Sequence, residues 1–363
     1  MPNLLFCMTP GIGLGTWEKI GSLQRELKPY EEYIRRGWNV KILTYDKNPV
    51  PELPKGIETI RFPNKKLLWL LPWTHRKLGA WADLIKTNQS HHAFFYVRAA
   101  NKWNKPILLR CGYVHGEYLE TIDGKTPKTR LYQWLEAKAF RNAGHCQVPT
   151  SYLSKWIANK YNVPDDKISV IPNSVETCTF KPIAGARKKD RSIVSVGRLN
   201  KVKRFDMLIN ACAKIPGSEL TLIGEGPEKQ RLSKMAKEVG LKLNLPGNVP
   251  HESLPEILQE HIVFAITSKR EGHPKALIEA MACGMPCLGV DVIGIQNIIE
   301  DGKNGLLVSG SQKSVTEGLS ILLEDIEMRE RLSMKAREYA KKHYDSDKCL
   351  SMEHALVERL IKR

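Results

Sequence analysis

Two glutamates in the second half of the chain have a spacing suited to holding one ligand. Glu271 and Glu279 are eight residues apart, close to two turns of an α-helix. If a helix begins near Pro274, Glu271 stands in the loop before it and Glu279 faces the same cleft. Carboxylates accept hydrogen bonds from hydroxyl groups, and the free N–H groups at a helix start attract an anion. The pair therefore predicts a site for a molecule with hydroxyl-rich ends and a charged middle. The alternative is a turn cap and a solvated helix residue.

A predicted strand followed by two cations offers a partner for that charged middle. Residues 194–206 read V-S-V-G-R-L-N-K-V-K-R-F-D, so that Arg198 follows Gly197 and Lys203 lies five residues further on. Arginine presents a planar fork to phosphate oxygens, and lysine presents a mobile point charge. We expect the two to hold a diphosphate and to stabilise it as it leaves. The alternative is that they are two of the many cations of a basic chain.

Two glycine-rich turns could bring the backbone close to a ligand. Residues 224–227 read G-E-G-P after a predicted strand, although an ordinary strand-to-helix turn explains this pattern equally well. Residues 11–15 read G-I-G-L-G, but Thr16 stands where a dinucleotide-binding loop needs glycine, and Asp46 comes late for its acidic partner. The pattern weakens a dehydrogenase assignment. It leaves a flexible loop over a cleft, with Gly13 as a candidate contact.

The elements that must position these residues alternate between strands and helices. The alternation predicts a parallel sheet covered by helices in the first half, and it restarts at Ser192 after a polar, basic stretch at 172–190. We therefore expect α/β architecture with two doubly wound domains, at residues 1–180 and 190–345. A helical stretch ends the chain. The D-x-D pair before it, Asp345 and Asp347, is interpreted as a helix N-cap.

Composition limits the possible partners and compartments. The chain of 363 residues has a net charge of +17, which calls for an anionic partner or surface. No zinc-finger spacing, aromatic RNA-binding signature or basic zipper is present, so we expect no nucleic-acid partner. Eight scattered cysteines without C-x-x-C pairs suggest reduced thiols. The N-terminus has no basic region before its short apolar run, which predicts a cytoplasmic protein.

Four motifs in the same order resemble those of glycosyltransferase family 4, a retaining family with the GT-B fold. They are I-P-N-S-V-E-x-x-x-F-x-P at 171–182, G-R-L-x-x-x-K at 197–203, G-x-G-P at 224–227 and E-G-x-P-x-x-x-x-E-A-M-A-x-G-x-P at 271–286. Within the first motif, Ser174 replaces the usual glycine and Glu176 the usual aspartate. The N-terminal half is similar to the family only in its glycine loop and topology.

The resemblance implies two Rossmann-like domains that face each other across a cleft. The N-terminal domain would bind the acceptor and the C-terminal domain a nucleotide-sugar donor, with the C-terminal helix, residues 346–363, crossing back to the N-terminal domain. The resemblance also implies that the enzyme needs no metal, so no cofactor is expected besides the substrate. Retention of anomeric configuration is ascribed to front-face attack, in which the leaving phosphate accepts the proton of the acceptor.

The resemblance also assigns roles to residues. It places Arg198 and Lys203 on the diphosphate, where negative charge develops in the transition state. Glu271 would contact the donor sugar, and Glu279 the ribose hydroxyls, with the base near Gly226 and the segment 248–250. We expect Arg198, Lys203 and Glu271 to be catalytic, and the donor contacts to be Gly13, Gly197, Gly226, Val249, His273, Pro274, Lys275, Ala276 and Glu279.

The chain departs from the family pattern at several positions. His273 and Lys275 occupy places that are commonly apolar, and Lys275 could add a phosphate contact or lie in solvent. The family often has a His-Gly pair directly after the strand that ends at Arg110, whereas here His115 comes five residues later. Arg110 and His115 are therefore candidates for the acceptor side, and a loop histidine without a role is the alternative for His115.

The acceptor is expected to be a glycan or a lipid-linked precursor of a cell-surface polysaccharide or glycolipid. Residues 65–86 mix basic side chains with tryptophan and leucine, which suits peripheral attachment to an anionic membrane surface on its cytoplasmic face. A core helix flanked by a solvated turn explains the same stretch. Two other functions stay open: a GT-B epimerase or phosphorylase, and a non-catalytic polyanion-binding protein.

Overall fold

The chain forms two compact units, each built on its own sheet. The computed structural model describes residues 1–46, 50–62 and 64–362. The first unit comprises Met1–Ile171 together with the chain from Leu350 onward, and the second comprises Pro172–Cys349.

The first unit is a parallel sheet covered by helices. In the part of the chain that the structure describes, the sheet has seven strands in the order β3-β2-β1-β4-β5-β6-β7. They are β1 (Asn3–Cys7), β2 (Asn39–Thr44), β3 (Ile57–Arg61), β4 (Leu84–Thr87), β5 (Ile107–Arg110), β6 (His145–Val148) and β7 (Ile168–Val170). The central strands are almost wholly buried, as expected of a parallel sheet covered on both faces.

The helices of the first unit follow the strands in alternation. They are α1 (Leu14–Lys19), α2 (Leu23–Arg35), α3 (Leu71–Thr74), α4 (Arg76–Trp81), α5 (Ala93–Lys102), α6 (His115–Asp123), α7 (Pro127–Asn142) and α8 (Ser151–Tyr161). A 3-10 helix at Lys65–Leu70 precedes α3.

The second unit repeats this architecture with a smaller sheet. Its strands are β8 (Ser192–Val196), β9 (Glu219–Ile223), β10 (Lys242–Gly247), β11 (Val263–Ile266), β12 (Cys287–Val290) and β13 (Leu306–Val308), in the order β10-β9-β8-β11-β12-β13. Its helices are α9 (Phe205–Cys212), α10 (Lys229–Glu238), α11 (Leu254–Gln259), α12 (Lys275–Ala282), α13 (Gln312–Glu324) and α14 (Ile326–Tyr344). Two doubly wound units therefore occur in tandem, as the alternation predicted.

In each sheet the order reverses beside the first strand, between β1 and β4 and between β8 and β11. Ligands of open α/β sheets bind outside the carboxyl ends of the strands at such a point. The loops that follow β8 and β11 carry Arg198, Lys203 and Glu271. The topology therefore assembles residues that are far apart in sequence.

The boundary between the units differs from the sequence-based limits. The first compact unit ends at Ile171 rather than at residue 180. Val175 and Phe180 are buried in the same apolar cluster as Phe264 and Leu277 of the second unit. The connecting segment packs on the second core because its apolar side chains need burial, whereas its polar composition alone suggested a free linker.

The C-terminal helix α15 (Ser346–Ile361) begins at the predicted cap. The Asp345 carboxylate accepts hydrogen bonds from the backbone N–H of Asp347 at 3.1 Å and of Lys348 at 3.5 Å, so the N-cap interpretation of the D-x-D pair is confirmed. From Leu350 onward the helix belongs to the first unit.

A buried ion pair fixes α15 in the first unit. Lys86 Nζ of β4 lies 2.5 Å from Glu353 Oε1, and the side chains of Tyr33 and Gln147 donate to the same carboxylate at 3.0 and 2.9 Å. Burial opposes ionisation of Glu353, but the charge and hydrogen bond of Lys86, the hydrogen bond of Gln147 and the charge of Arg110 together outweigh it and lower the pKa of Glu353 to about 2. Removing either partner would leave a buried charge without compensation.

Candidate functional site

A lysine and a glutamate from two neighbouring loops meet at the carboxyl end of the second sheet. Lys203 Nζ donates to Glu271 Oε1 at 2.6 Å, and Ser268 Oγ donates to the same oxygen at 2.5 Å. The side chains of Lys203 and Glu271 are 22% and 13% exposed, so both groups are partly shielded from water. The carboxylate thus holds the ammonium in one place beside Gly197, where an added Cβ would lie 3.0 Å from Lys203 Cε and 3.4 Å from Lys203 Nζ.

Backbone contacts fix the loop that carries Lys203. Asn200 accepts from the N–H of Lys203 at 3.2 Å and so caps the 3-10 turn at Lys201–Lys203. Thr267 Oγ1 is within 3.1 Å of the Lys203 carbonyl and 3.2 Å of the Arg204 carbonyl. Because Thr267 follows β11 directly, the loops after β8 and β11 are tied together. The ammonium is therefore placed by rigid backbone rather than by its flexible stem alone.

The glycine turn at 224–227 packs backbone on backbone. A Cβ added to Gly224 would lie 2.2 Å from the Gly197 carbonyl oxygen, and one added to Gly226 would lie 2.3 Å from the Leu199 carbonyl oxygen. Real Cβ atoms do not approach oxygen so closely, so both positions need glycine. These glycines let the 224–227 turn pack directly against the loop that carries Arg198 and Lys203, and that is their contribution to the site in this structure.

Helix α12 begins where the sequence predicted, and no side chain caps it. Pro274 is the N-cap residue with extended backbone, and the first turn contains no acidic residue. His273 is buried, and burial lowers its pKa to about 3, so it is neutral. Its carbonyl accepts from Asn173 Nδ2 at 2.8 Å, which fixes the approach to the helix. Lys275 and Ala276, in the first turn, are half-buried.

The second glutamate, Glu279, is almost fully buried, with 2% of its side chain exposed. His251 Nε2 lies 2.9 Å from its Oε1 and donates to the carboxylate. His251 directly follows the 248–250 segment, so this bond brings Val249 towards α12. Val249 itself packs at the edge of the apolar cluster that contains Leu277.

Arg198 lies one residue beyond Gly197 and is exposed. Over the described residues no carboxylate forms an ion pair with its guanidinium. The structure thus brings together Gly197, Lys203, Glu271 and the start of α12, with Arg198 at the margin of this set.

Three expected site residues, Gly13, Arg110 and His115, belong to the first unit. Gly13 lies against Asp46: a Cβ at Gly13 would be 2.0 Å from Asp46 Oδ1. The Asp46 carboxylate accepts from the N–H of Leu14 at 2.7 Å and of Gly15 at 3.0 Å. The amide groups at the start of α1 are therefore already occupied by a carboxylate of the protein itself.

Arg110 and His115 also lie at the carboxyl edge of the first sheet. Arg110 ends β5, and its guanidinium donates to the Asn88 carbonyl at 3.4 Å. His115 is the first residue of α6, and its N–H donates to buried Glu136 at 3.0 Å. Burial, and then the charge of Lys128, lower the pKa of His115.

Sequence reasoning missed the residues that position the others. Ser268 and Thr267 precede the glutamate motif, and Asn173 stands in the I-P-N segment, so motif context could have suggested all three. His251 and Asp46 have no local pattern that indicates their partners. Their partners lie 28 and 31 to 32 residues away, across loops that only the fold brings together.

Neither a metal-binding cluster nor a membrane-spanning helix occurs among residues 1–46, 50–62 and 64–362. No group of three or more His, Cys, Asp or Glu side chains there is arranged to hold a metal ion. None of the helices in those ranges combines the length and the apolar character that crossing a membrane requires.

Two family models match consecutive stretches of the chain. One, described as Glycosyltransferase Family 4, matches residues 30–178, and the other, described as Glycosyl transferases group 1, matches residues 178–339. Together they extend over most of both units.

Curated relatives carry related names. N-acetyl-alpha-D-glucosaminyl L-malate synthase of Bacillus anthracis is 27% identical over 202 residues, 54% of this chain and 52% of that protein. D-inositol 3-phosphate glycosyltransferase of Acidothermus cellulolyticus is 28% identical over 350 residues, 89% of this chain and 77% of that protein. The match spans about half the length of the first of these relatives.

Solved structures share the fold. Sucrose-phosphate synthase from Thermosynechococcus elongatus superposes with a TM-score of 0.85 at 21% identity and covers 100% of both chains. Anabaena HepE in complex with UDP-glucose has a TM-score of 0.79 at 17% identity and covers 99% of this chain and 100% of that one. The fold is GT-B, with two Rossmann-like domains.

Proposed function

Because the chain belongs to glycosyltransferase family 4, we propose that it transfers a sugar from a nucleotide-sugar donor to an acceptor hydroxyl. The observation that carries the proposal is the Lys203–Glu271 pair beside the uncapped start of α12. A cation at a fixed position next to a helix start favours a diphosphate. The Glu271 carboxylate, which lies at the same place, can accept hydrogen bonds from the hydroxyl groups of the sugar.

The cations contribute most when the donor bond breaks. Negative charge then grows on the leaving diphosphate, and fixed positive groups stabilise that state more than the bound donor. Lys203 is held in place by Glu271, whereas exposed Arg198 can close on the phosphate from outside. We assign Lys203, Arg198 and Glu271 to this step.

Glu279 is proposed to bind the ribose of the donor. Its carboxylate is oriented by His251, and the neighbouring 248–250 segment would contact the base. UDP and GDP are the proposed nucleotides. The HepE complex with UDP-glucose, which shares the fold, supports the first of these.

Retention of configuration and metal independence are part of the proposal. The C1–O bond to the diphosphate breaks, the acceptor oxygen attacks the same face, and the acceptor proton passes to the leaving phosphate oxygen. Arg198 and Lys203 supply the positive charge for this step. NMR of the product anomeric proton tests retention, and an inverted product contradicts it. Activity should also survive EDTA, and its loss would contradict metal independence.

We propose a glycan or lipid-linked acceptor and attachment to an anionic membrane at the cytoplasmic face. The segment 65–86 has both an inner and an outer side. Leu68 and Leu71 are buried, whereas Trp69 and Trp73 are about half exposed. Arg98 of α5 lies 4.8 Å over the Trp73 ring and donates to the Trp69 carbonyl at 2.7 Å. Tryptophans beside cations are typical of proteins that bind bilayer interfaces.

The surrounding charges support an anionic surface as the partner. Residues 64–82, 91–105 and 125–143, which include α3 to α5 and α7, hold twelve cations and one carboxylate, that of Glu136, which is buried. The cations are Lys65, Lys66, Arg76, Lys77, Arg98, Lys102, Lys105, Lys125, Lys128, Arg130, Lys138 and Arg141. Each cation near an anionic bilayer contributes about 1 kcal/mol of attraction.

A thermal-shift screen tests the donor assignment. The full chain is heated with UDP-, GDP- and ADP-sugars, and the correct donor should raise the unfolding temperature by mass action. If none of the sugar nucleotides raises the unfolding temperature and the chain binds heparin tightly, the polyanion-binding alternative is favoured. Conversion of the donor into an epimer without acceptor would favour the epimerase.

A further inference from the structure

A cavity in the first unit lies between α5 and α7. Its volume is about 210 Å³. Phe94 and Phe95 of α5 form one wall, and Leu131, Tyr132 and Leu135 of α7 form another. Sites that enclose a whole small molecule have roughly 300–1,000 Å³. This cavity therefore fits part of a larger ligand.

Three histidine rings complete the walls. The His91 ring centroid lies 3.9 Å from that of His92 and 4.2 Å from that of His115, and Tyr132 stacks on His91 at 5.9 Å. Burial lowers the pKa of all three imidazoles, that of His91 to about 3. They are uncharged at neutral pH, so the cluster offers aromatic surface rather than cations.

The single carboxylate at the cavity is already fully engaged. Glu136 accepts from Ser90 Oγ at 2.7 Å, from Tyr161 Oη at 2.8 Å and from the N–H groups of His115 and Gly116 at 3.0 and 2.8 Å. Four donors leave it little capacity for a ligand. Among the residues that line the cavity, a phosphate would meet no Lys or Arg side chain, and an ammonium would meet only this engaged carboxylate. A charged group is therefore expected to stay outside the cavity.

Cations stand outside the same walls. Lys128 stands on α7 one turn before Leu131 and Tyr132 of the cavity wall. The charge of Lys65 also acts on this wall, since after burial it is among the causes that lower the pKa of His91 and His92. Leu131 is 57% exposed, so the cavity opens at the surface of α7. One turn along, Lys138 Nζ lies 3.9 Å over the exposed Trp134 ring. A mainly apolar and aromatic cavity, whose carboxylate already accepts four hydrogen bonds, thus opens on a cationic surface.

The backbone at the cavity is also unusual. His92 has φ of 60°, in the left-handed region, and it stands directly before α5. Residues other than glycine adopt this conformation rarely, and such positions cluster at functional sites.

We propose that this cavity holds the end of the hydrocarbon chain of a lipid that carries a phosphate, with Lys65 and Lys128 beside the phosphate. The apolar walls fit the chain and the flanking ammonium groups fit the head. The proposal deepens the acceptor side of the proposed function and rests on it only for the role of the lipid as acceptor. Binding of the lipid itself needs neither donor nor catalysis.

Binding of soluble alkyl phosphates tests the cavity directly. Calorimetry compares hexyl phosphate, decyl phosphate, decanol and inorganic phosphate, with the alkyl phosphates below their micelle concentrations and decanol below its solubility. Each methylene that enters the cavity should tighten binding about fourfold. We therefore expect decyl phosphate to bind at least tenfold more tightly than hexyl phosphate, and inorganic phosphate to bind weakly. Equal affinity for the two alkyl phosphates would overturn the proposal.

Two variants separate the cavity from a general surface effect. Leu131→Asp places a charge at the mouth and should weaken decyl phosphate at least tenfold, whereas Leu135→Trp should fill the cavity. Ile326→Asp is the matched control, because Ile326 is equally exposed, at 59%, but lies on α14. If both Leu131→Asp and the control bind decyl phosphate like the wild type, the cavity is not the site.

The head group has its own variants. Lys65→Glu and Lys128→Glu should weaken decyl phosphate but leave decanol unchanged, and exposed Lys313→Glu should change neither. Loss of decanol binding in the lysine variants would contradict the division into chain and head.

A transfer assay and vesicles then identify the source of the lipid. If decyl phosphate competes with the acceptor in the transfer assay, the lipid that binds the cavity is the acceptor. Without competition, weaker binding of Leu131→Asp to vesicles of phosphatidylglycerol and phosphatidylcholine indicates a bilayer lipid. Tight binding to duplex DNA that Leu131→Asp leaves unchanged, with no vesicle binding, would assign the cations to nucleic acid and overturn the proposal. Since the binding assays omit the donor, their failure is distinct from failure of the donor screen.

Discussion

Two helices, α1 in the first unit and α12 in the second, begin after a loop at the carboxyl edge of a parallel sheet, but their first N–H groups meet different partners. At α1 the Asp46 carboxylate binds the amides of Leu14 and Gly15. At α12 the N-cap is Pro274, no side chain caps the helix, and Glu271 with its bound Lys203 stands in the preceding loop.

The difference shows that a glycine pattern does not by itself identify an anion site. Residues 11–15 contain three glycines, yet the protein supplies the anion there itself. The start of α12 has one glycine in the loop before it, and no side chain caps it through a hydrogen bond at Pro274. An intramolecular carboxylate competes with any phosphate for the same donors. We therefore propose that the diphosphate of the donor binds to the second unit.

The largest effect is expected on donor turnover when Glu271 of the second unit is changed. Glu271→Gln removes the charge that positions Lys203, and we expect turnover of the donor to fall about a hundredfold to a thousandfold, as for loss of one group that stabilises a transition state. Exposed Glu252→Gln is the control and should retain activity. Steady-state kinetics with the donor from the screen measures both. Wild-type turnover in Glu271→Gln would remove Glu271 from the site.

The next effect concerns the loop behind the phosphate site. Gly226→Ala puts a Cβ 2.3 Å from the Leu199 carbonyl oxygen, and we expect it to lower the free energy of unfolding by about 2–3 kcal/mol. Gly240 has φ of +69° but open space around it. Gly240→Ala should therefore lower the free energy of unfolding by only about 1 kcal/mol. Urea denaturation compares them. Equal losses would mean that the loop relaxes around the added Cβ and that the close contact at Gly226 does not require glycine.

In the first unit the expected effect is on stability, not on the ligand. Asp46→Ala leaves the amides of Leu14 and Gly15 without their partner, which should cost about 1–2 kcal/mol of unfolding free energy. Asp46→Asn keeps one acceptor and should lose less. Urea denaturation gives the stability and calorimetry the affinity for UDP and GDP, which should not change. A changed affinity would make the two helix starts more alike than the structure indicates.

The smallest effect is expected at His251. His251→Ala removes the donor to buried Glu279, and we expect the KM for the donor to rise by less than about tenfold, near 1 kcal/mol, with kcat unchanged. His251→Gln can still donate and should restore most of the loss. A fall in kcat with constant KM would instead place His251 near the reacting atoms.

Much of the fold could be predicted from the sequence, because it depends on local patterns. The alternation of strands and helices, the start of α12 after Pro274 and the cap at Asp345 are confirmed. Each rests on hydrophobic period, proline or capping chemistry within a few residues.

The partners within the sites could not be predicted in the same way. Lys203 and Glu271 are 68 residues apart and meet because β8 and β11 are neighbours in the sheet. Asp46 closes the glycine loop because β2 pairs with β1. Strand order decides both contacts, and no local pattern in the sequence encodes it.

The affinity of UDP and GDP for matched variants tests the central claim most directly. Calorimetry compares the wild type with Lys203→Met, Lys201→Met and Asp46→Ala. If the diphosphate binds beside Lys203, Lys203→Met should weaken the better nucleotide by at least about tenfold, because a charged hydrogen bond to phosphate is lost. Lys201→Met, on the same turn but exposed, and Asp46→Ala should bind like the wild type. Wild-type affinity in Lys203→Met, or a loss confined to Asp46→Ala, would contradict the assignment of the donor to the second unit.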